Sequence, residues 1–157
     1  IAGRKIPVPR LNAWYGAMGA DYSYSGIALK TMPFFPKLAD VKARVEALSG
    51  HSFNSALINF YRNHQDSVDW HADDEPELGE QPIVASVSLG ETRCFELRRK
   101  DDHRNKFKID LPDGSLLLMR GQIQRYWQHR VAKEKSRCGE RINITFRTVH
   151  NIGQDFC

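Results

Sequence analysis

From Arg141 to Arg147 the chain reads Arg-Ile-Asn-Ile-Thr-Phe-Arg, a strict polar-apolar alternation that suits a β-strand and no helix. Residues two apart on a strand share a face, so Ile142, Ile144 and Phe146 fall on one side and Arg141, Asn143, Thr145 and Arg147 on the other. A strand that buries Ile, Ile and Phe must also find a setting for two arginines on its reverse. That setting is either solvent or a cavity whose ligand carries a carboxylate, matched by a guanidinium fork. A second run repeats the pattern: Leu57, Asn59 and Tyr61 share one side, Ile58 and Phe60 the other. An amide and a phenol are suitable donors for the oxygens of such a ligand.

The same alternation predicts strands over Phe53–Tyr61, Ser67–His71, Ile83–Leu89, Thr92–Arg98, Lys106–Leu111, Ser115–Met119, Tyr126–Val131 and Arg141–Val149. Gly90-Glu91 and Pro112-Asp113-Gly114 punctuate them as turns, and the polar stretch Lys100–Asn105 reads as a loop. One helix is predicted, with Leu38, Val41, Val45 and Leu48 at helical spacing, Pro36 in its first turn and Gly50 at its C-terminal cap. Eight short strands with one flanking helix make a mainly β chain and argue for a double-sheet antiparallel jelly roll, the double-stranded β-helix. No repeat, low-complexity segment or domain boundary is visible, so residues 1–157 are expected to form a single domain. The chain opens on Ile1 and not Met, and is expected to lack part of its N-terminus.

Within that pattern stands Trp70-His71-Ala72-Asp73-Asp74-Glu75. His71 and Asp73, two apart on a strand or strand end, can reach one ion together, and His129 lies far enough along the chain for intervening strands to return it to the same place. Two histidines and one carboxylate on one face of a metal leave the opposite face open, the arrangement of non-haem Fe(II) oxygenases; a 2-oxo acid and O2 can fill the open positions. By itself His-x-Asp also suits a solvated acidic turn. The two-arginine strand and the Asn59/Tyr61 strand tilt the reading toward a cavity.

Composition sets bounds. At 157 residues the chain can bury a core without staples, and Cys94, Cys138 and Cys157 are too few and too irregular for a disulfide framework or zinc knuckle. They read as free thiols in a reducing, intracellular setting, cytoplasmic or nucleoid/nuclear. No apolar run approaches the roughly 18 residues needed to span a membrane. The net charge of +4 is concentrated in Arg98-Arg99-Lys100, in Lys133, Lys135 and Arg137, and in Arg4, Lys5 and Arg10. Such runs are usually solvated faces, with a phosphate-tracking surface as the second reading.

At Pro9-Arg10, Trp14-Tyr15-Gly16, Tyr22-Ser23-Tyr24, Asn59-Phe60-Tyr61-Arg62, His71 to Pro76, Ala85 to Gly90 and Arg141 to Arg147, the chain resembles the AlkB family of Fe(II)/2-oxoglutarate-dependent dioxygenases, from about Pro9 to about Val149. Within the family it is most similar to the branch that repairs alkylated DNA, one of whose members favours single strands and another duplex. The resemblance implies that His71, Asp73 and His129 hold iron, and that Asn59, Tyr61, Arg141, Asn143, Thr145 and Arg147 surround 2-oxoglutarate, with Arg141 on its distal carboxylate. It implies that Tyr22, Ser23 and Tyr24 contact the substrate nucleotide, that Asp74 and Glu75 lie beside the flipped base, and that Arg10 touches nucleic acid.

The expected activity is oxidative demethylation of bases of the 1-methyladenine and 3-methylcytosine type in DNA or RNA. Hydroxylating the N-methyl carbon gives a hemiaminal that releases formaldehyde, while 2-oxoglutarate becomes succinate. An oxygenase acting on a protein or small molecule is the alternative, and the Tyr-Ser-Tyr and Asp74-Glu75 matches argue against it. A non-catalytic nucleic-acid-binding jelly roll would be expected to lack a ligand or the anchor arginine. A zinc hydrolase on the same triad would leave Arg141, Asn143 and Arg147 without a purpose. Single-stranded nucleic acid is the expected partner of a monomer. In the duplex-acting relative an aromatic wedge precedes the Pro-Arg match, whereas Ile1-Ala2-Gly3 offers none.

Overall fold

The computed structural model describes residues 9–17, 22–24, 27–29 and 31–150. In chain order the elements are β1 (Leu11–Gly16), β2 (Tyr22–Tyr24), β3 (Ile27–Leu29), α1 (Pro36–Ser49), β4 (Ser55–Tyr61), β5 (Val68–His71), β6 (Val84–Gly90), β7 (Arg93–Arg99), β8 (Lys106–Leu111), β9 (Leu116–Met119), α2 (Ile123–Tyr126), β10 (Trp127–Val131) and β11 (Arg141–Arg147). Five strands form a major antiparallel sheet in the order β1-β4-β11-β6-β9, four form a minor one in the order β5-β10-β7-β8, and β2 and β3 pair as a hairpin. This is the expected jelly roll. Among the described residues, no helix is long and apolar enough to cross a membrane.

The alternation of β11 is used on both faces. One face carries Ile144 and Phe146 in a cluster with Ala56, Ala85 and Val87 of the neighbouring strands, closed from outside by Leu38 and Val45 of α1. Pro36 opens the helix with its fixed φ, and Gly50 ends it at φ +67, donating its N–H to Glu46 O at 2.9 Å. Leu48 corrects the expected apolar stripe: it is 75% exposed, because the helix buries only the face carrying Leu38 and Val45. A second cluster fills the space between the sheets, joining Tyr61, Val84 and Met119 of the major sheet to Phe95, Leu97, Leu111 and Val131 of the minor one.

Six of the eight predicted strands run within about one residue of the observed ones at both ends. β4 begins two residues late, at Ser55, and β11 ends two residues early, at Arg147. The strands β1, β2 and β3 and the helix α2 lie outside the eight predicted strands and one predicted helix. In β1 the adjacent Trp14 and Tyr15 blur the period of two, although Trp14 is buried and Tyr15 packs under α1. The single turn of α2 is too short to generate a helical period, and it takes Tyr126 out of the expected strand.

Candidate active site

β5 and β10 are antiparallel neighbours, and His71 and His129 face each other across the ladder with ring centroids 4.3 Å apart. The sheet therefore supplies the position of both histidines. Asp73 lies two residues past the end of β5, outside any ladder, and is only 1% exposed. One potential ligand atom from each of the three lies within 4.8 Å of the others, so the group can hold a metal ion. His71 Nδ1 is 2.7 Å from the carbonyl oxygen of Asp69. A carbonyl only accepts, so Nδ1 carries the proton and Nε2 is left as the ligating nitrogen.

The electrostatics suit a cation. Asp73 Oδ1 accepts from Arg147 Nη2 at 2.7 Å, while Oδ2 is buried without a hydrogen-bond partner, 3.8 Å from His129 Nε2. A buried carboxylate oxygen in that state calls for a positive partner. Burial pushes the Asp73 carboxyl up, but Arg147, His129 and His71 outweigh it and hold the pKa at about 2. Burial, and after it the neighbouring His71, push His129 down to about 3, so at neutral pH its imidazole is uncharged with a lone pair to donate. Phe95 stacks on that imidazole at 5.1 Å.

All three residues line one cavity with Asn59, Tyr61, Arg141, Asn143, Thr145 and Arg147. Strand pairing makes the wall: Arg141 stands opposite Tyr61, and Asn143 opposite Asn59. Arg141 is 1% exposed; its Nη2 donates to Ser88 Oγ at 2.9 Å, while Nε and Nη1 are buried without a hydrogen-bond partner. Burial pushes the Arg141 guanidinium down, offset in part by the Tyr61 hydroxyl, whose ring centroid lies 5.1 Å from the guanidinium carbon. Burial also raises the Tyr61 pKa against the opposing pull of Arg10, Arg141 and Arg93, so its hydroxyl keeps its proton as a donor. Asn143 donates to Ser86 Oγ and Val87 O, and its Oδ1 accepts from Thr145 Oγ1. These two residues therefore brace the wall.

Arg10, expected to touch nucleic acid, lies beside Asn59. It is buried in the cavity lining, and its Nε donates to Asn59 Oδ1 at 2.8 Å. Asp74 lies outside this cavity, half exposed, with Lys100 Nζ 2.8 Å from its carboxylate; it lines an adjoining hollow with Lys100, Gln124 and Arg125. Glu75 begins the 3-10 turn Pro76–Leu78. Tyr22, Ser23 and Tyr24 form β2, but their side chains, like Ile1-Ala2-Gly3, lie outside the described residues. Of the basic runs, Arg98 stacks on Trp70 and donates to Gln128, Arg99 pairs with Asp101, and Lys133, Lys135 and Arg137 are exposed between β10 and β11.

Sequence reasoning missed Ser86, Ser88, Arg93 and Gln124. The two serines share one side of β6 by period two, and Arg93 shares the apolar side of β7 with Phe95 and Leu97, so a signal existed for these. Arg93 is fully buried behind Tyr61, donating to the carbonyl oxygens of Asp66 and Ala132. Gln124 carried no pattern.

Comparison with known proteins agrees with this geometry. Residues 2–147 match the profile of the 2OG-Fe(II) oxygenase superfamily. The chain is 48% identical over 153 residues to alpha-ketoglutarate-dependent dioxygenase alkB homolog 3 of Rattus norvegicus, covering 92% of this chain and 51% of that protein. It is 49% identical over 151 residues to the Homo sapiens protein of the same name, covering 90% and 52%. To DNA oxidative demethylase ALKBH2 of Homo sapiens it is 35% identical over 156 residues, covering 95% and 60%. The chain thus spans about half the length of the first of these curated relatives. The solved structure of OsALKBH1 superposes with a TM-score of 0.57 at 24% identity, over 77% of this chain and 66% of that one, and shares the fold.

Proposed function

This chain belongs to the AlkB family of the 2OG-Fe(II) oxygenase superfamily, and on that premise we propose that it removes N-linked methyl groups from bases in nucleic acid by oxidising the methyl carbon. The observation that carries the reading is the shared cavity: a buried carboxylate oxygen of Asp73 awaiting a cation, and a buried Arg141 with two donors awaiting an anion. Fe(II), 2-oxoglutarate and O2, when bound, supply the oxidation of a C–H bond, yielding succinate, carbon dioxide and, from the methyl group, formaldehyde.

In this reading His71, Asp73 and His129 hold the iron, and Arg147 fixes the Asp73 carboxylate. Arg141 takes the distal carboxylate of 2-oxoglutarate through its open donors, Tyr61 donates its hydroxyl, and Arg10 orients Asn59. Asn143 and Thr145 keep the wall rigid, and Phe95 shields His129 from water.

Ring-methylated adenine or cytosine carries a positive charge and an exocyclic amine, which Asp74 and Glu75 suit as acceptors. Tyr22 and Tyr24 cradle the extruded base, with Ser23 between them. Lys100, Arg125 and the exposed Lys133, Lys135 and Arg137 attract the phosphates, so binding weakens as salt rises. The partner in this reading is single-stranded nucleic acid in preference to duplex, bound by a monomer.

The test uses one set of oligonucleotides, each bearing a single methylated base, as single-stranded DNA, duplex DNA and RNA. Succinate and formaldehyde are measured with Fe(II) and 2-oxoglutarate. Stoichiometric formaldehyde, greatest on single strands, is expected. Succinate that no methylated oligonucleotide stimulates would move the substrate out of nucleic acid, and equal repair of paired duplex would end the strand preference.

A further inference from the structure

The three candidate metal ligands are not held in the same way. His71 and His129 are fixed by the β5-β10 ladder, but Asp73 stands in unpaired chain beyond the end of β5. Its side chain is anchored at one oxygen by Arg147. Its backbone N–H, in a buried position, donates to the side-chain Oε1 of Gln124 at 2.9 Å. Gln124 is 1% exposed and sits in the single turn of α2, which leads directly into β10 and His129. Its Nε2 lies 3.6 Å from Sδ of Met119, at the end of β9. One amide therefore joins the loop carrying the carboxylate to the segment that introduces the second histidine.

Given the reading of His71, Asp73 and His129 as an iron site, we infer that Gln124 is a positioning residue for that site: it replaces the missing strand ladder at Asp73 and sets the direction of the carboxylate oxygen left for the metal. The physical reason is that a buried N–H must find an acceptor. If the acceptor is removed, the loop moves to find another, and Asp73 turns with its backbone. Groups that orient a metal ligand commonly change affinity by about 10–100-fold when lost.

The test is Co(II) binding to the metal-free chain, followed by titration and by the visible absorption of the bound ion. Gln124→Leu keeps the volume and removes the acceptor. Gln124→Asn keeps an amide but is one methylene too short, and serves if the leucine variant does not fold. Gln124→Glu keeps an acceptor at the same reach. Folding is checked by circular dichroism and thermal melting before metal is added. The expected result is a Co(II) dissociation constant raised at least tenfold, with shifted absorption bands, in the leucine or asparagine variant, and recovery of both in the glutamate variant. Wild-type affinity and spectrum in folded Gln124→Leu or Gln124→Asn would overturn the inference while leaving the triad standing. A glutamate variant as impaired as the leucine one would also overturn it, by showing that packing and not the acceptor matters. Failure of the wild-type chain to bind Co(II) would sink the triad reading and this inference with it.

Discussion

Asp73 and His129 both titrate far below their ordinary range, and the same shifts govern acid stability and metal loading. The folded pKa of His129 is about 3 against an ordinary 6.5, so between those values the unfolded chain binds the proton that the folded chain refuses. Stability of the metal-free protein contributed by this residue is therefore complete above pH 6.5 and is lost as pH falls toward 3. Asp73 adds to the loss only between its ordinary 3.8 and about 2, and the depressed Glu46 and Glu96 act below 4.5. The urea midpoint should therefore drop between pH 6.5 and 4.5 mainly through His129, and His129→Gln should flatten that slope. An undiminished slope in the variant would assign the acid sensitivity elsewhere. Arg141→Ala should act on the co-substrate: losing a charge-assisted pair inside a cavity costs on the order of 2–5 kcal/mol. Its KM for 2-oxoglutarate should rise steeply while Co(II) affinity holds, and an unchanged KM would move the anchor to Arg147 or Arg10. Asp74→Ala separates the half-reactions, since Asp74 lies outside the metal group. 2-Oxoglutarate turnover without substrate should persist while demethylation falls; collapse of metal binding would instead make Asp74 a ligand.

Among the elements, α1 shows how far a period can be trusted. Leu38 and Leu48 both fit the helical repeat, yet Leu38 is 1% exposed beneath the helix and Leu48 is 75% exposed. Leu38→Ala should cost roughly 2–5 kcal/mol by opening a cavity, and Leu48→Ala less than about 0.5 kcal/mol, as surface changes usually do; comparable losses in urea denaturation would show that α1 sits differently. The turn after β6 couples an element boundary to the site. Gly90 has φ +88, a Cβ there would lie 2.5 Å from the backbone oxygen of Glu140, and Gly90 pairs directly with Arg141. Gly90→Ala should cost on the order of 1–3 kcal/mol and also raise KM for 2-oxoglutarate, because the clash falls beside the anchor strand. Loss of stability with an unaltered KM would separate the two. Long alternating strands were legible because a half-buried ribbon imposes period two. α2 was not, because four residues are too few to carry a period and its placement depends on contacts from β9 and the loop after β5.

Across the whole molecule, the packing that holds the two sheets together is apolar, and it is expected to stand without a metal. The main apolar clusters draw on residues of both sheets, α1 and the segments around Trp14, and Phe95 of the inter-sheet cluster also stacks on His129. Chelation should therefore leave the β-sheet circular dichroism intact and lower the melting temperature only by the binding linkage, about 2.7 kcal/mol when the ion is at 100 times its Kd. Global unfolding on chelation would contradict this. The division of labour between sequence and fold follows from the range of the forces involved. Alternation along β4 and β11 determined which side chains face the cavity, because strand geometry is local, and His71 with Asp73 marked the ligand types. The motifs shared with the family marked the remaining candidate residues. Only tertiary structure decided that His129 lies opposite His71, that Arg10 turns inward to Asn59, that Arg93 supports Tyr61 from behind, and that Gln124 accepts from Asp73. Each of those pairs is far apart in sequence and meets only after the sheets close, when burial obliges every polar group to find whichever partner the packing has brought within reach.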